Sequence, residues 1–214
     1  MRIGVLGTGE VGRTIATKLV ELGHDVRLGS RTAGNQAATA WCSAVGDRAS
    51  EGTFADAAGF GELVLNCTNG NGAVAAVTAA SAELSGKLLI DVCNPLDFSC
   101  GGPSLSVGIT DSIGEQVQRA LPETSVVKAL NTVNCDVMVD PGLVSGEHVV
   151  FVCGNDAAAK ARTVELLGWF GWPAERVIDI GDIAGARATE GYLLLWLRLM
   201  GWAGGARFDI EVHR

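Results

Sequence analysis

The chain has 214 residues, 48% hydrophobic and 19% charged, with 24 Asp and Glu against 16 Lys and Arg for a formal charge of −8. That apolar content excludes a disordered chain, and an acidic balance without a basic cluster excludes a general nucleic-acid binder, whose phosphate contacts need grouped Lys and Arg. At ~100–200 residues per domain the length fits one large domain, and the high apolar fraction points to a subunit interface, with a homodimer expected.

Arg2 to Leu6 reads as a first strand, followed by a glycine-rich turn and a helix from about Val11 to Leu22. Val11, Ile15, Leu19 and Leu22 form its apolar stripe, and Gly23 is a helix stop. Asp25 to Gly29 reads as the second strand and Thr32 to about Val45 as the second helix. A short strand near Gly52 to Phe54, an apolar strand from Glu62 to Cys67 and an Ala-rich helix from Val74 to Leu84 repeat the theme. Lys87 to Val92 is another buried strand. Asn94 to Ile109 holds Pro95, Gly101, Gly102 and Pro103 and reads as a long loop, usually a functional or mobile feature. Ile113 to Leu121 is predicted helical and Ser125 to Leu130 a strand. His148 to Cys153 and Arg176 to Ile180 read as strands, Asp156 to Leu167 and Ile183 to Met200 as helices. Phe208 to His213 alternates like a final strand. Strands alternating with helices imply right-handed crossovers and an α/β fold with a doubly wound, mostly parallel Rossmann-type sheet.

Gly7-Thr8-Gly9-Glu10-Val11-Gly12 is a G-x-G-x-x-G between the first strand and the first helix, the context that motif requires. Gly7 permits the tight turn, Gly9 lets backbone approach a pyrophosphate, and Gly12 lets the helix pack on the strand. The helix N-terminus offers N–H groups and a partial positive charge to the diphosphate. An NAD site places an acid at the end of the second strand, ~20 residues on. Here that place reads Ser30-Arg31-Thr32, two hydroxyls and a guanidinium, groups suited to a 2′-phosphate and hence to NADP(H). We read residues 1–214 as one NADP-binding Rossmann-like domain, with 1–133 as the dinucleotide-binding core and 134–214 as a small C-terminal α/β elaboration.

Thr68-Asn69, Asn94-Pro95 and Ala129-Leu130-Asn131-Thr132 follow the carboxyl ends of three strands, where ligands of open α/β sheets bind. They are expected to line the nicotinamide half of the crevice, where Asn69, Asn94 and Asn131 either orient a carboxamide or serve as ordinary turn caps. Lys128 reads as a solvated or paired charge more than a general acid. Asp91 and Asp97 lie near the same crevice, with nothing to make them an acid/base pair. On the predicted C-terminal helix, Arg187 and Glu190 fall at the i, i+3 spacing that favours their pairing with each other. Trp169, Trp172, Trp196 and Trp202, all in the last 46 residues, supply either packed core, a dimer face or a stacking surface. No Ser/His/Asp or Cys/His set stands out.

No run approaches the ~18 apolar residues of a membrane span. Gly4, Gly7 and Gly9 interrupt the N-terminal apolar run too soon for a signal peptide. Six cysteines, Cys42, Cys67, Cys93, Cys100, Cys135 and Cys153, form no C-x-x-C pair, and reduced, packed thiols in the cytoplasm are expected. His24, His148 and His213 are too scattered for a metal site, and none is expected.

The opening MRIGVLGTGEVGRTIATKLVELGHDVRLGSRT, with DVCNP, VVKALNTVN, VFVCGNDAAAK, DIGDIAGARATE and the closing FDIEV, resembles the NADPH-dependent coenzyme F420 reductases, or F420H2:NADP oxidoreductases, in their bacterial branch. The resemblance covers essentially the whole chain, and Gly29-Ser30-Arg31-Thr32 is its most specific element. The cytosolic domains of STEAP-type metalloreductases look related too. The F420 reductase resemblance implies a small dimeric enzyme passing hydride between NADP(H) and a 5-deazaflavin, coenzyme F420. It implies Thr8, Gly9, Glu10 and Val11 on the pyrophosphate, Ser30 and Arg31 on the 2′-phosphate, and the loops at Thr68-Asn69, Val92 and Ala129 on the nicotinamide side. Archaeal members of that family carry two leading glycines in a longer turn and a His where Asn131 stands. A flavin-like acceptor also fits. Two other readings stay open: an NADPH-dependent reductase of a small carbonyl or imine, and a non-catalytic NADP(H)-binding sensor. The expected partner is a small-molecule electron donor or acceptor, with no nucleic acid and no membrane.

Overall fold

The computed structural model describes residues 1–99 and 101–213; Cys100 lies outside them. In chain order the strands are β1 (Arg2–Leu6), β2 (Asp25–Ser30), β3 (Ala49–Thr53), β4 (Leu63–Asn66), β5 (Leu88–Asp91), β6 (Leu96–Asp97), β7 (Ser104–Leu105), β8 (Ser125–Ala129), β9 (Val150–Gly154) and β10 (Val177–Asp179). The helices are α1 (Glu10–Glu21), α2 (Gln36–Val45), α3 (Phe54–Phe60), α4 (Gly70–Thr78), α5 (Ser81–Leu84), α6 (Ile113–Ala120), α7 (Cys135–Val139), α8 (Ala157–Trp169) and α9 (Ala186–Ala203).

Eight strands form one sheet in the order β10-β9-β8-β5-β4-β1-β2-β3. Every neighbouring pair is parallel except β8 with β9. The chain winds outward from β1 to β3, then returns to β4 on the other side of β1. That reversal opens a crevice at the carboxyl ends of β1 and β4, the usual ligand position of such sheets.

The pleat sends alternate side chains to two cores. On one face Ile3, Val5, Leu65, Ile90 and Val127 pack with Ile15, Leu19 and Trp41 of α1 and α2 and with Leu166 of α8. On the other, Leu6, Val64, Leu89 and Val126 pack with Ala57, Ala73, Val77 and Val117 of α3, α4 and α6. Fully burying one such Leu, Ile or Val stabilises the fold by about 1.5–3 kcal/mol. In α1 the expected stripe is buried at Ile15 and Leu19, while Leu22 is 42% exposed because the helix stops before it.

The structure departs from the sequence reading at several elements. Phe54 is not a strand residue but opens α3, which Thr53 and Asp56 start with a capping box. The Ala-rich helix divides into α4 and α5. The long loop contains the antiparallel hairpin β6–β7. The second helix begins at Gln36 because Asn35 caps it, accepting from the N–H groups of Ala37 and Ala38. The alternating segment at 208–213 forms no strand. It makes one main-chain bond to the sheet region, from the Val149 N–H to the Ile210 carbonyl at 3.0 Å. Its side chains fasten it instead: Asp209 meets His148 Nδ1 at 2.8 Å, Glu211 accepts from the Glu147 N–H, and Phe208 stacks on Trp196.

Candidate functional site

The turn between β1 and α1 carries three glycines for three reasons. Gly7 has φ +114°, and a Cβ there would lie 2.6 Å from the Cys67 carbonyl oxygen. A Cβ on Gly12 would lie 2.2 Å from the Gly7 carbonyl oxygen, so only glycine lets α1 sit this close to its own turn. Gly9 is different: its φ of −72° suits any residue, and a Cβ there would meet nothing within 4 Å. As N-cap it supplies no side-chain acceptor, so the first-turn N–H groups of Glu10, Val11 and Gly12 face that open space. The turn is braced by Arg13, whose Nη1 donates to the Thr8 carbonyl at 2.6 Å. Exposed main-chain donors at a helix N-terminus, over a gap kept clear of a side chain, can hold a diphosphate. Glu10 has an exposed carboxylate, which only accepts, so the residue can offer such a ligand its main-chain N–H alone.

At the end of β2, Ser30 is buried and donates its hydroxyl to the Thr32 carbonyl at 2.6 Å. Arg31 and Thr32 are exposed. Both carboxylate oxygens of Glu51 accept the Gly34 N–H, at 3.0 and 3.1 Å, so the turn is ordered before any ligand arrives. Among the described residues, no hydrogen bond or ion pair engages the Arg31 guanidinium. A partnerless cation on a fixed turn, one strand away from the glycine turn, is the chemistry a phosphate monoester needs.

The loops at the carboxyl ends of β4, β5 and β8 are more closed. Asn69 caps α4, its Oδ1 accepting from the Asn71 N–H at 3.0 Å. Asn94 and Asn131 bind each other: Asn94 Nδ2 donates to the Asn131 carbonyl at 2.8 Å, and Asn131 Nδ2 to Asn94 Oδ1 at 3.0 Å. Thr68 donates to Asn66 Oδ1 at 2.8 Å. Val92 and Ala129 are buried, and the Val92 N–H is bound to the Asn66 carbonyl. Between these pieces Leu130 takes a left-handed φ of 63°, a strain that persists only where the surroundings fix it. The Thr132 hydroxyl beside it is buried and finds no partner among the described residues.

Beneath these loops runs a row of polar side chains, of which the sequence reading singled out Asp91 and Lys128 separately and passed over Asn66. Asn66, Asp91 and Lys128 are register partners on β4, β5 and β8. Asn66 Nδ2 donates to Asp91 Oδ1 at 2.9 Å, and Lys128 Nζ donates to Asp91 Oδ2 at 2.8 Å. Lys128 also meets Glu190 Oε1 at 2.7 Å and donates to the Cys93 carbonyl. Glu190 in turn accepts the N–H groups of Ile113 and Gly114 at 2.8 and 3.0 Å, capping α6. Desolvation pulls the Lys128 pKa down, but the Asp91 and Glu190 carboxylates outweigh it and hold the ammonium above the ordinary lysine range. Arg187 turns instead to Glu115, with Nε at 2.8 Å, so the expected Arg187–Glu190 pair does not form. Asp97 faces Ser99 and has no part in the row.

The thiols of Cys67 and Cys93 are buried in this region, and desolvation, seconded by Asp91, raises both well above the usual thiol range. They are packing groups and not nucleophiles. Of the four C-terminal tryptophans, Trp172 is core, with Nε1 donating to the Met138 carbonyl at 3.0 Å. Trp169 lies against His24 and Trp196 on Phe208, while Trp202 is 86% exposed.

The family model for coenzyme F420-dependent NADP oxidoreductases matches residues 2–95. A crystal structure of a candidate F420-dependent NADP reductase from Arthrobacter sp. FB24 superposes with a TM-score of 0.94 at 47% identity, covering 100% of both chains. The chain belongs to the F420-dependent NADP oxidoreductase family. It is therefore an NADP-dependent oxidoreductase with a Rossmann-like fold. The F420-dependent NADP reductase of Methanothermobacter marburgensis is 28% identical over 202 residues, covering 89% of this chain and 88% of that protein. The metalloreductase STEAP3 of Rattus norvegicus is 28% identical over 189 residues; the match takes in 88% of this chain but spans only 36% of that longer protein. Among the described residues of this chain, no helix is long and apolar enough to cross a membrane, and no cluster of three or more His, Cys, Asp or Glu could hold a metal.

The three glycines separate fold from binding. Gly12→Ala, with its Cβ against the Gly7 carbonyl, should lower unfolding free energy in urea by about 1–3 kcal/mol. Gly9→Ala should melt within a few degrees of the parent but bind NADPH at least tenfold more weakly by calorimetry; parent-like affinity would show that nothing approaches Gly9.

Proposed function

We propose that this chain passes hydride between NADP(H) and the deazaflavin coenzyme F420, or a flavin-like ring of the same shape. The observation that carries the reading is the pairing of the open space over Gly9 with the partnerless Arg31 one strand away. A dinucleotide laid across β1 and β2 meets main-chain N–H groups at its diphosphate and a guanidinium at its 2′-phosphate. The proposed cofactor contacts are Gly7, Thr8, Gly9, Glu10, Val11 and Gly12 on the diphosphate side and Ser30, Arg31 and Thr32 at the 2′-phosphate. Thr68, Asn69, Val92, Asn94, Ala129 and Asn131 form the nicotinamide wall. Bound NADP(H) supplies or accepts the hydride. The chain's part is to fix the nicotinamide at one angle and keep its reacting face open to a second flat ring, so positioning carries most of the catalysis.

The buried row argues against a carbonyl or imine substrate. Reduction of those groups puts a proton on the reacting oxygen or nitrogen, and Asp91 and Lys128, the ionisable pair beneath these loops, are fully buried and bound to each other. Hydride addition to a deazaflavin leaves the negative charge spread over its pyrimidine ring, whose nitrogen can take the balancing proton from solvent, so no side chain has to supply it.

We read residues 1–133 as the cofactor-binding core and 134–214 as the elaboration that covers its acceptor side, the two acting as one unit. Leu194, Leu195 and Trp202, exposed on α9, are the proposed contact with a second copy. The unpaired thiols of Cys67, Cys93 and Cys153 support a cytoplasmic setting.

Mixing the protein with NADPH and oxidised F420 should bleach the deazaflavin absorbance; tight NADPH binding without bleaching would overturn the acceptor. Arg31→Ala should weaken NADPH binding by about 10- to 100-fold, the worth of one or two hydrogen bonds to a charged group, and leave NADH binding nearly unchanged. Equal losses for the two would remove Arg31 from the 2′-phosphate. In sedimentation velocity the parent should run as a dimer and Leu195→Glu as a monomer; a monomeric parent removes the dimer.

A further inference from the structure

Lys128 is the largest polar side chain sealed inside the molecule, with none of its surface in contact with solvent. The ammonium donates to Asp91 Oδ2 and to the Cys93 carbonyl, and Glu190 Oε1 lies 2.7 Å away as a second ion-pair partner. With its side chain sealed from solvent, it has no open side from which to meet a substrate. Two carboxylates around one ammonium leave an excess negative charge in a dry place, which the first N–H groups of α6 offset through Glu190. A cluster of this kind is a poor device for stability, since well-packed apolar side chains of the same volume often do as well or better. Apolar side chains cannot bind a main-chain carbonyl.

The carbonyl that Lys128 holds sits in the turn 92–94, and three other polar groups of that turn are bound as well. The Val92 N–H is bound to the Asn66 carbonyl at 2.9 Å. The Cys93 thiol donates to the Thr68 carbonyl at 3.0 Å. The Asn94 side chain is laced to Asn131, and the Asn94 main-chain carbonyl oxygen lies so close to Gly70 that a Cβ there would be 2.1 Å away. Lys128 is the charged member of this set, and through Glu190 it reaches α9. Gly114, where a Cβ would lie 2.9 Å from the Cβ of Ala186, lets the start of α9 come this near.

We infer that Lys128 is a positioning residue: by holding the Cys93 carbonyl and Glu190 together, it sets the wall against which the nicotinamide half of the cofactor lies and ties that wall to α9. The inference rests on the cofactor reading given above and deepens it. The adenosine end, at Gly9 and Arg31, lies outside the Lys128 network and does not depend on it.

The test uses two probes, NADPH for the whole site and 2′,5′-ADP for the adenosine end alone. The variant is Lys128→Met/Asp91→Asn/Glu190→Gln, which removes the charges together and leaves none buried without a partner. It should bind 2′,5′-ADP within about twofold of the parent. The emission of bound NADPH, blue-shifted by a rigid nicotinamide site in the parent, should return toward that of free NADPH, and hydride transfer to F420 should fall at least a hundredfold in kcat with little change in KM for NADPH. A variant that melts like the parent and keeps the parent's bound-NADPH emission overturns the inference, because charge balance would then be the whole role of Lys128. A parent that fails to bind 2′,5′-ADP overturns the cofactor reading instead. If the variant does not fold, the parent labelled with 13C at the Cys93 carbonyl decides: NADP+ should shift that signal and 2′,5′-ADP should not. No shift with NADP+ also overturns the inference.

Discussion

A lysine ammonium sealed from water can stay charged only if every donor is met and its charge is answered nearby. That requirement at Lys128 shapes much of the carboxyl side of this sheet. It brings Asp91 beside it on the next strand, Glu190 across from α9, and the Cys93 carbonyl down from the turn above. Glu190 in turn needs the start of α6. The C-terminal helix is thus joined to the sheet by ionic and main-chain bonds that are satisfied only in this one arrangement, and the loops over the row inherit its rigidity.

The two ends of the proposed cofactor site are therefore built on opposite principles. At the adenosine end the groups are exposed and available: first-turn N–H groups, a vacant Cβ direction at Gly9, and a guanidinium without a partner. At the nicotinamide end nearly every polar group is already bound to another part of the chain. Affinity is best supplied by groups that gain partners on binding, whereas orientation needs groups that do not move. A hydride donor requires both, and the sheet divides them between its two halves.

The sequence made the first of these ends readable and the second only in fragments. Gly7, Gly9 and Gly12 follow a strand at fixed spacing, and Ser30-Arg31-Thr32 falls where the second strand must end, so local rules suffice. Asn66, Asp91 and Lys128 each close an apolar run, which marks them as strand-end polar residues but does not say that they share a register. Glu190 was visible only as a neighbour of Arg187 on one helix. Its pairing with Lys128 depends on how α9 meets α6, a contact 62 residues away in sequence that no local pattern encodes. The helix α3 was legible in principle, since Thr53 and Asp56 are a capping box, but the short Phe54–Phe60 segment lacks the long apolar period that usually identifies a helix.

The C-terminal segment shows the limit of pattern from the other side. Phe208, Ile210 and Val212 alternate with Asp209 and Glu211 as a strand would, yet the segment has no strand to pair with. The alternation serves anchoring: Phe208 covers Trp196, and Asp209 reaches the buried His148, whose Nε2 lies 3.0 Å from the Pro141 carbonyl. Burial raises the Asp209 carboxyl to about 6, against the pull of its bond to His148. Its proton is therefore held more tightly in the folded chain than in the unfolded one, and the stability this group lends is fully present below its unfolded pKa and is lost as pH rises through about 6. The tail is fixed by a few side-chain contacts, and α9 is fixed by the charged row at its other end. A helix tied firmly at its start and lightly at its finish can keep the proposed nicotinamide wall still while its far end, with Trp202 exposed, remains free to meet another surface.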